Sequence, residues 1–332
     1  MSAIAVLGAG SWGTVIAHHL ATKGADVVLW ARDEAVASAV TERHENPAYL
    51  RGRPLANSLR ATASISDAVE QRDILICAVP SQSVRSVLAQ ACDAATSDAV
   101  LVCASKGIES ETLQRMSEVA AETLPGREYV ILSGPSFAVE VLEQQPTAVV
   151  AASRSASAAC RVQELFASGS FRVYSSRDVL GTELAGSFKN VIAIAAGMCD
   201  GLGLGNNPRA ALVTRGLAEI TRLGVALGAD PLTFAGLAGV GDLVLTTCGT
   251  LSRNRALGVA LGRGENLAEY TARQHSVIEG VPTAKVALRL ARRAGVELPI
   301  AEQVAECLFE SKPPRQAIVE LMERTPKPEQ WT

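Results

Sequence analysis

The sequence predicts an α/β chain in two parts: a doubly wound parallel sheet in the amino-terminal half and an all-α domain in the carboxy-terminal half. Two textures point there. In the first part, short apolar runs (Ala3–Leu7, Val27–Trp30, Ile74–Val79, Val100–Cys103, Val130–Leu132, Ala148–Ala152) alternate with amphipathic stretches such as Trp12–Lys23 and Ser83–Ala91. Apolar strands separated by helices read as parallel βαβ units covered on both faces. In the second part, from about Val179, the runs lengthen, become rich in Ala and Leu, and step by three or four. No strand is expected beyond Val173. The boundary is placed between residues 178 and 179, giving domains 1–178 and 179–332.

Turn signals follow several expected strands: Pro80, Gly107 and Gly134-Pro135. Those strand ends are where open α/β sheets bind ligands. In the helical part, Leu180, Leu184, Phe188, Ile192 and Ala195 share one face of a helix. Glu183, Gly186 and Asn190 form a second, more polar stripe on it. Asn207–Leu227, Val281–Arg293 and Ile300–Phe309 also read as helices. Thr325–Thr332, with two prolines, reads as a frayed end.

Composition bounds the function. The chain has 332 residues, enough for about two domains at ~150 residues each. It is 48% hydrophobic and 20% charged, so a buried core is expected and disorder is not. With 31 basic against 34 acidic residues the net charge is −3, which argues against a nucleic-acid binder. The longest clearly apolar stretch, Val191–Cys199, is far shorter than the ~20 residues of a membrane span. Met1-Ser2-Ala3-Ile4 lacks the basic start of a signal peptide. Seven scattered cysteines without a C-x-x-C spacing suggest reduced thiols, not disulfides or a zinc site. The expectation is a cytoplasmic protein without a structural metal. The apolar helical half further suggests a homodimer.

Gly8-Ala9-Gly10-Ser11-Trp12-Gly13 is a G-x-G-x-x-G that follows one predicted strand and opens a predicted helix. In that context the glycines allow a tight turn, backbone approach to a pyrophosphate and close helix–strand packing. The helix N-terminus offers free N–H groups to the anion. This makes the first domain Rossmann-type, and a nicotinamide cofactor implies hydride transfer. After the second strand comes Trp30-Ala31-Arg32-Asp33. Arg32 stands where an NADP 2′-phosphate would need a cation, while Asp33, one position late, could serve NAD. NADPH is favoured, with NAD open.

Two of the six lysines, against 25 arginines, stand in unusual places. Lys106 follows a strand end, in Ser105-Lys106-Gly107-Ile108-Glu109. Lys189 lies inside the most apolar helix. There it either snorkels to solvent or sits in a pocket, where burial and a second cation lower its pKa. Gly239-Val240-Gly241-Asp242-Leu243 forms a glycine-dense turn with one acid. Ser252-Arg253-Asn254 then precedes a helix. That triplet reads equally as a phosphate cradle or as an N-cap with a solvated arginine. His18 and His19 read as packing or surface residues and His44 as part of a polar loop. His275, near Glu279, is a lesser candidate for the cofactor's surroundings.

Taken in order, these motifs, with Ser133-Gly134-Pro135-Ser136-Phe137-Ala138, Phe188-Lys189-Asn190 and Glu279-Gly280, resemble the bacterial NAD(P)-dependent glycerol-3-phosphate dehydrogenases over essentially the whole chain. The resemblance implies reduction of dihydroxyacetone phosphate to sn-glycerol 3-phosphate, for glycerophospholipid synthesis. It implies Lys189 as proton donor and acceptor, with Lys106, Asp242 and Asn190 around the reacting carbonyl. It implies that Gly134, Ser136, Ser252, Arg253 and Asn254 join Lys106, Lys189 and Asp242 at the substrate. It implies cofactor contacts from Gly8, Gly10, Ser11, Trp12, Gly13, Arg32, Tyr49, Lys106, Ala138, Arg253, Val277 and Glu279. Two alternatives share the first domain: a related two-domain hydroxy-acid dehydrogenase and a non-catalytic dinucleotide sensor. The former gives no reason for Ser252-Arg253-Asn254; the latter leaves a lysine in an apolar helix unexplained.

Overall fold

The computed structural model describes residues 2–274, 276–326 and 328–329. Its sheet has eight strands: β1 (Ala3–Leu7), β2 (Asp26–Trp30), β3 (Arg60–Thr62), β4 (Ile74–Cys77), β5 (Val100–Cys103), β6 (Tyr129–Ser133), β7 (Thr147–Ala152) and β8 (Phe171–Ser176). The spatial order is β3-β2-β1-β4-β5-β6-β7-β8. Strand order reverses between β1 and β4, and a ligand crevice is expected outside their carboxyl ends. Helices α1 (Ser11–Thr22), α2 (Glu34–Arg43), α3 (Ile65–Val69), α4 (Val84–Ala91), α5 (Met116–Thr123), α6 (Ala138–Leu142) and α7 (Ala156–Phe166) cover the sheet.

The two-sided covering is legible strand by strand. Ile4, Val6, Val27, Leu29, Ile74 and Ile76 enter one core with α1 and α7. Their neighbours Ala5, Leu7, Val28, Trp30, Leu75 and Cys77 enter another with α4 and α5. Strand side chains alternate faces, so a strand buried on both sides has no polar register.

Three features differ from the expected sheet. β3 is a three-residue edge strand, Arg-Ala-Thr, with no apolar run to announce it. β8 runs on to Ser176, three residues past Val173. β7 pairs antiparallel with β6, whereas the other neighbouring strands run parallel. The β6–β7 connection contains only the five-residue α6. The chain therefore turns back at the same edge instead of crossing the sheet, as a parallel return requires.

After β8 the chain is helical: α8 (Val179–Gly201), α9 (Asn206–Ala226), α10 (Pro231–Phe234), α11 (Asp242–Cys248), α12 (Arg253–Gly262), α13 (Leu267–Ala272), α14 (Gly280–Ala294), α15 (Pro299–Phe309) and α16 (Pro314–Met322). Asp178 caps α8 by accepting the Gly181 N–H at 2.9 Å. α8 is the axis of this half, buried along nearly its whole length. Against it lies α12, at backbone contact. A Cβ on Gly258 would meet the Ile194 carbonyl oxygen at 2.0 Å, and one on Gly197 the Arg255 carbonyl oxygen at 2.1 Å. Gly201 and Gly262 face each other one turn further on. Two G-x-x-x-G patterns thus oppose each other, and only glycine permits this approach.

Two stretches, Val179–Gly201 and Pro231–Cys248, have the length and mean hydropathy (1.2 and 1.3) that a membrane-crossing helix needs. The first is 94% buried inside the protein, as a core helix is. Of the tail expected to fray, residues 327 and 330–332 lie outside the described residues.

Candidate active site at the junction of sheet and helices

The glycine loop leaves β1 and enters α1. Gly8 has φ +116°, and a Cβ there would meet the Ala78 carbonyl oxygen and Val79 at 2.9 Å. A Cβ on Gly13 would strike the Gly8 carbonyl oxygen, whereas one on Gly10 would meet nothing within 4 Å. The first and third glycines are thus needed by the fold, and the second faces open space. No side chain caps α1, which leaves its first N–H groups available to an anion. Buried Asn46 supports the loop by donating to the Ala9 carbonyl (2.9 Å) and the Thr14 hydroxyl (2.8 Å). The chain therefore fits a dinucleotide at this loop.

Around it, the Ser11 hydroxyl donates to the Tyr49 carbonyl at 3.4 Å, and the Tyr49 ring is 44% exposed. Arg32 is exposed at the end of β2. The Asp33 carboxylate accepts the Ala35 N–H at 2.9 Å as the N-cap of α2. Trp12 packs on the sheet domain's own core. Ala138 begins α6. Val277 is 45% exposed. Glu279 does not stand free: its carboxylate accepts the Ser81 N–H (2.9 Å) and hydroxyl (2.6 Å), bridging α14 to the turn after β4. His275 lies outside the described residues. His18 and His19 serve packing, the former accepting the Ala56 N–H (3.0 Å), the latter bonded to the Phe166 carbonyl (2.8 Å).

Lys189 does not snorkel. It is 6% exposed, and its Nζ donates to Asp242 Oδ1 at 2.5 Å and to the Thr246 hydroxyl at 2.8 Å. Lys106, from the end of β5, reaches the same carboxylate at Oδ2, 2.7 Å away, and the Gly134 carbonyl at 3.1 Å. One buried acid from α11 thus holds two ammonium groups, one from each half of the chain. Burial pushes Lys189 down to about 8; Asp242 pulls against this and Lys106 adds to it. Burial alone would raise the Asp242 carboxyl, but the two ammonium groups outweigh it and hold it below its usual range.

The glycine-dense segment before Asp242 is more ordered than the expected turn. Leu237–Gly241 is a π-helical turn running straight into α11, so Asp242 opens a helix. Thr246, one turn later, donates to the Asp242 carbonyl at 2.6 Å.

Beside this cluster, Asn254 on α12 donates to Asn190 Oδ1 at 2.8 Å and accepts the Gly280 N–H at 2.9 Å. Of the two readings of Ser252-Arg253-Asn254, the structure shows the N-cap directly. The Ser252 hydroxyl caps α12 through the Arg255 N–H, and Arg253 is exposed beside Glu279, whose carboxyl burial raises against the pull of the two Ser81 hydrogen bonds and, least, of Arg253. Ser136 donates to the Gly134 carbonyl at 3.1 Å. Thr246, Ser81 and Asn46 complete the surroundings without having been singled out in the sequence, as does Glu183, read there only as part of a polar stripe. Thr246 carried a signal, lying one helical turn after Asp242.

Models of the two halves of one family match the chain: the NAD-dependent glycerol-3-phosphate dehydrogenase N-terminus over residues 3–159 and its C-terminus over residues 178–319. The chain belongs to the NAD-dependent glycerol-3-phosphate dehydrogenase family. A relative from Geobacter sulfurreducens named glycerol-3-phosphate dehydrogenase [NAD(P)+] is 54% identical over 331 residues, covering 99% of each chain. The crystal structure of a glycerol-3-phosphate dehydrogenase from Coxiella burnetii superimposes with a TM-score of 0.94 at 38% identity, over 97% of this chain and 99% of that one. The yeast glycerol-3-phosphate dehydrogenase structure gives 0.84 at 26% identity, over 97% and 99%. Membership in this family accounts for the oxidoreductase character of the site and for NAD or NADP as its cofactor.

Proposed function

We propose that this chain reduces dihydroxyacetone phosphate to sn-glycerol 3-phosphate with NAD(P)H, supplying the backbone of glycerophospholipids. The observation that carries this reading is the pair of ammonium groups, Lys106 and Lys189, sharing Asp242 at the sheet–helix junction. When bound, the reduced nicotinamide supplies a hydride to the ketone carbon. Residues 1–178 hold the cofactor through the Gly8–Gly13 loop, with Ser11, Trp12, Arg32, Tyr49 and Ala138 around it, and Val277 and Glu279 reach it from the helical half. Residues 179–332 hold most of the substrate, with Lys106, Gly134 and Ser136 added from the first half. Arg253 offers a two-pronged cation to its phosphate, assisted by Ser252, Asn254, Ser136 and the Gly134 backbone. Lys189 transfers a proton from Nζ to the forming alkoxide and in the reverse direction removes it. Lys106 and Asn190 orient the carbonyl oxygen, and Asp242 fixes both ammonium groups.

The exposed Arg32, with Asp33 committed to its cap, favours NADPH over NADH. The seven cysteines are all free, in keeping with a reducing, cytoplasmic setting. The apolar composition of the helical half is the ground on which we propose a homodimer.

The test is NADPH oxidation on adding dihydroxyacetone phosphate, beside a panel of 2-oxo acids, with the Lys189→Met variant in parallel. Turnover of dihydroxyacetone phosphate alone is expected, falling ~10²–10⁴-fold in the variant while NADPH still binds. A variant within tenfold of wild type rejects the role of Lys189, and turnover of an oxo acid instead rejects the substrate.

A further inference from the structure

We propose that Glu183 is a positioning residue for this reaction: it locks α8 against the sheet so that Lys189 and Lys106 meet on one carboxylate. Glu183 is on the same helix as Lys189. Its side chain is 1% exposed. Oε1 accepts the Ser117 N–H at 2.7 Å and the Tyr129 hydroxyl at 2.9 Å. Oε2 accepts from Arg115 Nη1 at 2.9 Å and from the Ser117 hydroxyl at 2.7 Å. All four donors belong to β6 or to the start of α5. A buried carboxylate is tolerated only when satisfied in this way. Four converging donors fix its direction, which an apolar contact of similar size would not.

The geometry links this lock to the amines. Glu183 and Lys189 are six residues apart, roughly 9 Å along the helix axis. Between them lies Gly186. A Cβ there would meet Ser133 Oγ at 2.8 Å and the Lys106 stem at 3.7 Å. The Lys106 stem therefore runs across α8 between the lock and the proton donor. The segment after Lys106 is tied to the helical half as well. Ile108 and Leu113 enter the core that contains Leu184 and Phe188, and Arg289 donates to the Ser110 and Glu111 carbonyls. A slide or roll of α8 that broke the Glu183 contacts would change the spacing of the two ammonium groups.

The charged and titratable groups facing Glu183 are Arg115, Tyr129 and Cys103; those facing Lys189 are Asp242 and Lys106. The inference rests on Lys189 being the proton donor. The experiment compares Glu183→Ala and Glu183→Gln in the full-length enzyme by kcat, KM for NADPH, thermal midpoint, and kcat/KM for reduction against pH. In Glu183→Ala, kcat is expected to fall ~10–100-fold with little change in KM for NADPH, as for a misplacement of about 1 Å. The alkaline limb of the profile moves upward by about half a unit or more, because a displaced Lys189 regains solvent and loses its like-charged neighbour. Glu183→Gln keeps an oxygen for the Ser117 N–H and the Tyr129 hydroxyl but turns an amide N–H toward Arg115, so it restores kcat in part, above Glu183→Ala. Where Glu183→Ala does not fold, the double variant Ser117→Ala, Tyr129→Phe replaces it with the same expected limb shift. A folded variant of either kind with wild-type kcat and an unmoved limb overturns the proposal. If the wild type has no such limb, or Lys189→Met stays active, it is the role of Lys189 that fails.

Discussion

At the residue scale Asp242 holds two ammonium groups and pulls the Lys189 amine upward against the lowering that burial imposes. Lys189 is held near 8 by burial, with Asp242 pulling upward and Lys106 downward. With Lys189 as the proposed proton donor, reduction draws on the protonated amine, so kcat/KM for dihydroxyacetone phosphate should fall as pH rises through about 8. In Asp242→Asn the upward pull is gone, and the limb is expected at lower pH; a profile superimposable on wild type contradicts this account. Arg32→Asp is the companion test at the cofactor. Loss of a charge-assisted contact to a 2′-phosphate is worth about 1.5–3 kcal/mol, so the NADPH:NADH ratio of kcat/KM should drop ~10- to 100-fold. An unaltered ratio places the 2′-phosphate elsewhere. Much of this was readable in the sequence, because a glycine loop, a lysine in an apolar helix and an isolated Asp announce themselves by type. Glu183 was seen only as a polar stripe position, and Ser81 not at all. Their partners, Ser117 and Glu279, are 66 and 198 residues away, and no local spacing encodes such contacts.

Among elements, the α8–α12 pair decides whether the site exists. It brings Asn254 to Asn190 and sets Arg253 near the junction. Gly258→Ala pits two effects against each other. Alanine gains up to ~1 kcal/mol in helix propensity. Its Cβ, however, would sit 2.0 Å from the Ile194 carbonyl oxygen, a backbone atom that cannot rotate aside. Overpacking of this kind costs about 1–3 kcal/mol or more, so a net loss of stability is expected in urea unfolding, with a rise in KM for substrate. Equal or greater stability would show that the helices can part without strain. The long helices and apolar strands were legible from periodicity. β3 was not, since an exposed edge strand of three residues has no pattern to show. The antiparallel β7 was missed because an apolar run does not reveal its direction.

For the whole molecule, the division into a nucleotide-binding half and a helical half is less clean than the sequence textures suggest. Ile108 and Leu113 belong by order to the first half, yet they are 1% and 5% exposed within the helical core. Expressed alone, residues 1–178 would leave both uncovered, and Arg115 and Ser117 would lose the Glu183 carboxylate. The fragment is expected to be aggregation-prone and to lack a cooperative thermal transition, measured by light scattering and circular dichroism. A soluble, cooperatively melting fragment would mean that the segment after Lys106 refolds without the helices.

That shared segment also sets a rule for building chimaeras. A helical half grafted from another such enzyme meets a foreign 107–117 strip, with mismatched plugs in its interior and mismatched donors to its carboxylate. A splice at residue 178 should therefore yield hybrids that bind nucleotide yet turn over poorly. Carrying the strip along with the incoming helices should bring turnover back.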